Sequence, residues 1–243
     1  MKNTLLQSLI VLLFFNSFLG NGYSSEKTTP VVNFFPPFYL YSTDAMAHLG
    51  IISFQEDIRQ AFHDLDDKYS IIDVGSGSVP TAHYFATIRQ LQPRTAAYSD
   101  MQKDLLLGLR RYGEGISSHF PGTKFQFKKV DWQNYESVEA KFPDKVDIVI
   151  LSHPNLTGAP VSSIRNGKLT TFENKTDWEL VFDNALARMK VDGSLLVFLQ
   201  NSVEVERLKQ LADARTLDFC HESKKEKSTL YHYMAVLRRK ADF

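Results

Sequence analysis

Short apolar runs alternate with stretches of helical periodicity from Ser70 to the end of the chain. The segment Val146–Leu151 reads Val-Asp-Ile-Val-Ile-Leu, a nearly continuous apolar run that is typical of a strand covered by helices on both faces. This alternation predicts an α/β fold with βαβ units around a parallel sheet. The predicted strands are Ser70–Val74, Thr95–Ser99, Lys124–Val130, Val146–Leu151, Ser194–Leu199, Thr216–Cys220 and Tyr231–Arg238.

The stretches between these strands carry apolar residues at spacings of three and four, which predicts helices with one buried face. The last such helix is expected to end in a turn at Asp192-Gly193, directly before the next strand. The predicted core stripes are Tyr84, Phe85, Ile88 and Leu91; Leu105, Leu106 and Leu109; and Trp178, Val181, Phe182, Ala185 and Met189.

The first 24 residues have a different character from the rest of the chain. Lys2 precedes an interrupted apolar stretch from Leu5 to Leu19, which is shorter than the roughly 20 apolar residues of a membrane-spanning helix. Small residues follow at Gly20, Gly22, Ser24 and Ser25, where a signal peptidase can cut. We therefore expect residues 1–24 to be an export signal of an exported or secreted protein. An uncleaved membrane anchor and an apolar helix packed on the domain are the alternatives.

Two further segments do not follow the alternation. Residues 25–69 form an N-terminal extension and helix, in which Phe34–Tyr41 is too aromatic for a simple linker. Residues 155–177 form a long connection with little periodicity, and long loops in compact domains are often lids or binding loops. The expected organisation is thus a signal or anchor, an extension over residues 25–69, and a domain over residues 70–243.

Charge and cysteine content narrow the choice of partners. The 28 Lys and Arg residues balance the 28 Asp and Glu residues, so no global field attracts nucleic acid. Cys220 is the only cysteine, which excludes an internal disulfide and a cysteine-based metal cluster. The seven histidines show no metal-ligand spacing. The sequence therefore favours neither a nucleic acid nor a metal ion, and a membrane only through the N-terminal segment.

A glycine-containing turn, Asp73-Val-Gly75-Ser-Gly77-Ser-Val-Pro80, directly follows the first predicted strand. Its glycines allow a tight turn and bring backbone N–H groups close to a ligand. Pro80 suits the first turn of the following helix, where no donor is lost. Because any tight strand-to-helix turn favours glycine, the position of this turn matters more than its pattern.

The strands on either side of this turn also end in polar residues. Asp100-Met101 and Asp131-Trp132 follow the second and third strands, and Ser152 follows the fourth. Open α/β sheets bind ligands at this carboxyl edge, where an acid can accept hydrogen bonds from ribose hydroxyls. The flat ring of Trp132 suits an adenine base. The alternative for either aspartate is the N-cap of the next helix.

In their order and spacing, these motifs resemble those of the class I S-adenosylmethionine-dependent methyltransferases, from about Ser70 to the C terminus. The resemblance implies a three-layer Rossmann-like sandwich with a mostly parallel, seven-stranded sheet whose last strand is reversed. It also implies S-adenosylmethionine as the cofactor, with its methionine portion against the glycine turn and its ribose at Asp100. The implied cofactor-binding residues are Asp73, Gly75, Ser76, Gly77, Asp100, Met101, Asp131, Trp132 and Ser152.

The catalytic residue is less sharply indicated than the cofactor site. His153 is a candidate general base because its ordinary pKa lies near neutrality; the alternative is a hydrogen bond to the loop backbone. Val79 replaces the third glycine of the family's first motif, and Ser152–Asn155 does not match the Asn/Asp-Pro-Pro-aromatic motif of amino-methylating members. A non-catalytic methyltransferase-like binding domain is therefore an alternative. An NAD-dependent oxidoreductase is less favoured, because Pro80 replaces the third glycine of its fingerprint.

The sequence does not identify the methyl acceptor. We expect a small molecule, bound between Phe34–Tyr41 and residues 155–177; the alternative is that Phe34, Phe35 and Phe38 only cover the sheet. Since S-adenosylmethionine is made in the cytosol, an exported enzyme needs delivery to another cell's cytosol or a compartment supplied with cofactor. Loss of activity, or a start codon assigned too early, would also resolve this tension.

Overall fold

The structure, a computed structural model, describes residues 50–76, 79–103, 106–110, 120–152, 154–157, 161–165, 168–172, 175–225 and 231–240. The proposed export signal, residues 1–24, and the aromatic segment Phe34–Tyr41 lie outside the described residues. Within the described part of the chain, no helix combines the length and apolarity that crossing a membrane requires.

A seven-stranded sheet forms the centre of the molecule, in the order β3-β2-β1-β4-β7-β9-β8. Neighbours from β3 to β7 are parallel, whereas β9 runs antiparallel to both β7 and β8. This confirms the predicted mostly parallel sheet with a reversed last strand. The strands are β1 Ser70–Val74, β2 Thr95–Asp100, β3 Lys124–Lys129, β4 Val146–Ser152, β5 Val161–Arg165, β6 Lys168–Phe172, β7 Met189–Leu199, β8 Leu217–Lys224 and β9 Tyr233–Arg239.

Helices cover both faces of this sheet, which confirms the three-layer architecture. Successive strand residues point to opposite faces. The helices with defined bounds are α1 Gln55–Ala61, α2 Thr81–Arg89, α3 Tyr135–Lys141, α4 Trp178–Arg188 and α5 Ser202–Ala214. In β1, Ile72 and Val74 belong to the core beneath α3, α4 and α5, while Ile71 belongs to the core beneath α1 and α2.

The described end of the N-terminal extension is part of the core. Ile51, Phe54 and Ile58 are fully buried in the cluster that covers one face of the sheet. The Phe54 ring lies 6.0 Å from the ring of Phe198 in β7. The residues from 50 to the end of α1 therefore cover this face of the sheet and stabilise it.

Part of the long connection after β4 is folded, which the sequence analysis did not predict. Residues 161–172 contain the antiparallel pair β5 and β6, with Val161 opposite Phe172 and Arg165 opposite Lys168. This register leaves two residues, Asn166-Gly167, between the strands. Asn-Gly between alternating sequences is the strongest short-range hairpin signal, so the sequence did contain the information.

The turn predicted at Asp192-Gly193 lies inside β7 instead of before it. Met189 pairs with Val146 and Ser194 pairs with Ile148, so residues 190–193 bulge from the strand. Gly193 is needed for close packing there, because a Cβ would lie 3.0 Å from the carbonyl oxygen of Asp147.

Replacement Phe54→Ala tests whether the extension contributes to the core. Removing a buried phenyl ring should lower the free energy of unfolding by about 3–5 kcal/mol. Val203→Ala, at a side chain that is 65% exposed, is the matched control and should change it by less than about 0.5 kcal/mol. Denaturant titration of both variants measures the difference, and equal stability would show that α1 is an accessory helix.

Candidate functional site

The candidate site lies at the carboxyl edge of the sheet, where β1 and β4 are neighbours. The chain proceeds outward from β1 through β2 to β3, and on the other side from β4 to β7. The strand order therefore reverses between β1 and β4, and open α/β sheets bind ligands in the crevice at such a point. The residues that follow β1, β2, β3 and β4 all meet at this edge.

Gly75 begins the turn after β1 and has a backbone that side chains rarely adopt. Its φ is +62°, in the left-handed region that glycine enters without steric cost. A Cβ at this position would meet no atom within 4 Å, so the glycine borders open space and not a packed neighbour. Both features suit a turn against which a ligand lies. Gly77 is outside the described residues.

Val79 has a backbone conformation that does not require glycine. It is absent from the described residues with positive φ. Its N–H donates to the carbonyl oxygen of Ser76 at 3.0 Å, and its side chain packs in the core beneath α2. The substitution is therefore accommodated by packing.

Asp73 lies beneath the turn and is completely buried. Neither carboxylate oxygen has a hydrogen-bond partner of ordinary geometry among the described residues. Burial raises the pKa of this carboxyl well above its ordinary value, while the Thr81 hydroxyl and the N–H groups of Thr81 and Ala82 oppose that effect. A buried polar group without a partner is costly, so this carboxyl is a candidate for contact with a ligand.

Ser99, which the sequence analysis missed, connects three strand ends. Its hydroxyl donates to the carbonyl oxygen of Asp73 at 2.9 Å and accepts from the indole N–H of Trp132 at 2.8 Å. Its carbonyl oxygen accepts from the N–H of Ser76 at 3.0 Å. Ser99 and Ser76 are both buried, so these bonds fix the turn from below.

Trp132 occupies a different place from the one its sequence position indicated. Its side chain is only 4% exposed and stacks on Phe142, with ring centroids 5.6 Å apart. The ring belongs to the core on the α3 side of the sheet and presents no face to an adenine base. An indole is apolar enough to be buried once its N–H has an acceptor, which Ser99 supplies.

Asp100 and Asp131 are partly exposed at neighbouring strand ends. The Oδ1 atom of Asp100 accepts from the N–H of Gln102 at 2.7 Å, and that of Asp131 accepts from the N–H of Gln133 at 3.0 Å. Asp131 is not the N-cap of α3, because Asn134 has that role. Each aspartate instead stabilises its own turn through one oxygen atom and keeps its carboxylate at the edge.

The end of β4 is joined to the start of α2. The hydroxyl oxygens of Ser152 and Thr81 lie 3.0 Å apart and share a hydrogen bond. Thr81 was also missed from the sequence, although its place next to Pro80 in the first helical turn is a usable signal. Met101 is 54% exposed beside Asp100, and His153 lies outside the described residues. Apart from Trp132, the described candidates thus lie at or directly beneath one edge.

The comparisons with known proteins concern the fold. No protein-family model and no curated protein matches the sequence. A ribosomal protein L11 methylase from Lactobacillus delbrueckii subsp. bulgaricus superposes with a TM-score of 0.51 at 12% identity, over 89% of this chain and 92% of the methylase. TrmN from Thermus thermophilus superposes with a TM-score of 0.53 at 16% identity, over 81% of this chain and 52% of TrmN.

The sheet has its reversal point between β1 and β4 and an antiparallel β9 between β7 and β8. The chain has the Rossmann-like fold of the class I S-adenosylmethionine-dependent methyltransferases.

Proposed function

We propose that this protein is an S-adenosylmethionine-dependent methyltransferase that acts on a small-molecule acceptor. The observation that carries the proposal is Gly75, whose left-handed backbone borders open space at the point where the strand order reverses. Carboxylates at Asp100 and Asp131 support it, because both are partly exposed at the neighbouring strand ends.

The residues at this edge fit the cofactor, which supplies an electrophilic methyl group when it is bound. The turn at Gly75 allows close approach of the methionine portion. The Asp100 carboxylate would accept hydrogen bonds from ribose hydroxyls, and the half-exposed Met101 is next to it in the chain. Beyond holding both reactants in line, methyl transfer needs only a proton acceptor in some cases, for which His153 is our candidate.

The acceptor is proposed to bind on the β4 side of the crevice. The connection that contains β5 and β6 leaves from Ser152, and its last residue before α4, Asp177, donates its N–H to Gln133 at 2.7 Å. Both ends of this connection are therefore held at the carboxyl edge. Gly50 packs against Tyr231 at the same edge, since a Cβ there would lie 2.9 Å from the tyrosine ring.

The position of Gly50 indicates where the aromatic segment Phe34–Tyr41 joins the described part of the chain. The chain enters the described domain beside β9, close to the place proposed for the acceptor. We propose that Phe34–Tyr41 forms the other wall of the acceptor pocket. Export directed by residues 1–24 also remains our proposal, and it rests on the sequence pattern.

Calorimetric titration of the purified chain tests the proposed cofactor. We expect S-adenosylmethionine and S-adenosylhomocysteine to bind, because both carry the ribose and the methionine portion for which the edge is built. NAD should give no heat of binding at the same concentrations. Binding of NAD alone would contradict the proposal and favour an oxidoreductase.

The replacement Asp100→Ala tests the site. Loss of a charged hydrogen bond, worth about 1.5–3 kcal/mol, should weaken binding of S-adenosylhomocysteine by at least about tenfold. The melting temperature of the ligand-free protein should change little, because Asp100 is partly exposed at the end of β2. Asp144→Ala is the matched control at an exposed aspartate between α3 and β4, and it should bind like the wild type. A large drop in melting temperature with unchanged affinity would assign Asp100 a purely structural role.

A further inference from the structure

The described residues around Asp73 that are named below carry no positive charge. Its register partner in β2 is Tyr98, and its partner in β4 is Ile150. Tyr98 is hydrogen-bonded to His83 of α2, and burial lowers the pKa of that histidine to about 3, which keeps the imidazole neutral. The β2 residue Asp100 adds a negative charge that raises the pKa of Asp73 further.

The polar groups that face Asp73 are neutral. They are the hydroxyl of Thr81 and the N–H groups of Thr81 and Ala82, at the start of α2. The charged side chain with the largest effect on the pKa of Asp73 is that of Asp100, which disfavours the ionised form. An ionised carboxylate at this fully buried position would therefore lack both a counter-charge and hydrogen bonds of ordinary geometry.

We propose that the Asp73 carboxyl is protonated in the ligand-free protein and releases its proton to solvent when a ligand brings a cationic group to the turn after β1. The inference rests on the proposed function, because the methionine portion of an S-adenosyl ligand carries an ammonium group. One positive charge arrives as one proton leaves, so the buried region keeps its net charge. Asp73 thereby selects ligands that carry an ammonium group over nucleosides that lack one.

A line of hydroxyl groups connects Asp73 with the edge of the sheet. Thr81, which is fully buried, faces the carboxyl, and its hydroxyl is bonded to that of Ser152 with the oxygens 3.0 Å apart. Ser152 is partly exposed at the end of β4. Hydroxyl groups both donate and accept, so this line gives the proton a route to solvent.

Proton release makes binding and stability depend on pH in opposite directions. Affinity for a ligand with an ammonium group rises with pH until the carboxyl of the free protein is itself ionised. The stability of the ligand-free protein shows the reverse. A carboxyl whose pKa is higher in the folded than in the unfolded protein contributes to the free energy of unfolding. This contribution is fully present below the pKa of the unfolded protein, about 3.9, and is lost as pH rises through the pKa of the folded protein. The isosteric variant Asp73→Asn lacks both dependences.

Calorimetry in two buffers measures the exchanged proton directly. Wild-type protein is titrated with S-adenosylhomocysteine near pH 6.5 in phosphate and in bis-Tris buffers, whose heats of ionisation differ strongly. We expect release of about 0.5–1 proton per bound ligand for the wild type and for the control Asp144→Asn. Asp73→Asn should release none. Wild-type protein should also release no proton when it binds 5′-methylthioadenosine, which lacks the ammonium group.

Two outcomes would overturn the proposal. One is binding of S-adenosylhomocysteine to the wild type with the same heat in both buffers, which leaves the proposed cofactor intact. The other is equal proton release by the wild type and Asp73→Asn. Failure of any S-adenosyl compound to bind would instead refute the proposed function, and the proposal with it. Stability of the ligand-free proteins against pH is a second readout: parallel curves for the wild type and Asp73→Asn would show that Asp73 does not titrate.

Discussion

The arrangement of the candidate site depends on the hydrogen bonds of Ser99. This residue joins the end of β1, the turn at Ser76 and the segment after β3 through its hydroxyl and carbonyl groups. The hydroxyl is buried, so water does not compete for these bonds. The left-handed backbone at Gly75 and the carboxylates of Asp100 and Asp131 are thereby held at one edge, on a sheet whose order reverses between β1 and β4.

The sequence predicted the sheet well because the physical signal was strong. Strands buried on both faces are apolar along most of their length, as Val146–Leu151 is except at Asp147, and such runs stand out from the helical periodicity between them. Gly75 and Asp100 were found for a related reason. Each directly follows or ends a predicted strand, so the edge to which they belong was known from the strand order.

The remaining features depend on contacts between distant parts of the chain. An exposed tryptophan and a buried one look alike in sequence, and only the stack with Phe142 and the bond to Ser99 place Trp132 in the core. Nothing in the sequence distinguishes Ser99 from the other serines, because its three hydrogen-bond partners are distant from it along the chain. The hairpin is the exception, since Asn166-Gly167 carried a local signal that the lack of clear periodicity obscured.

The free-energy cost of burying Asp73 is linked to ligand binding at this site. A carboxyl that is fully buried without a counter-charge weakens the free protein at neutral pH, and proteins retain such strain mainly where a ligand relieves it. A crystal structure of the chain with S-adenosylhomocysteine tests this most directly. The account predicts ribose hydroxyls about 2.5–3.2 Å from the Asp100 carboxylate and the methionine portion against Gly75, above Asp73. A ligand bound away from the carboxyl ends of β1 and β2 would contradict it.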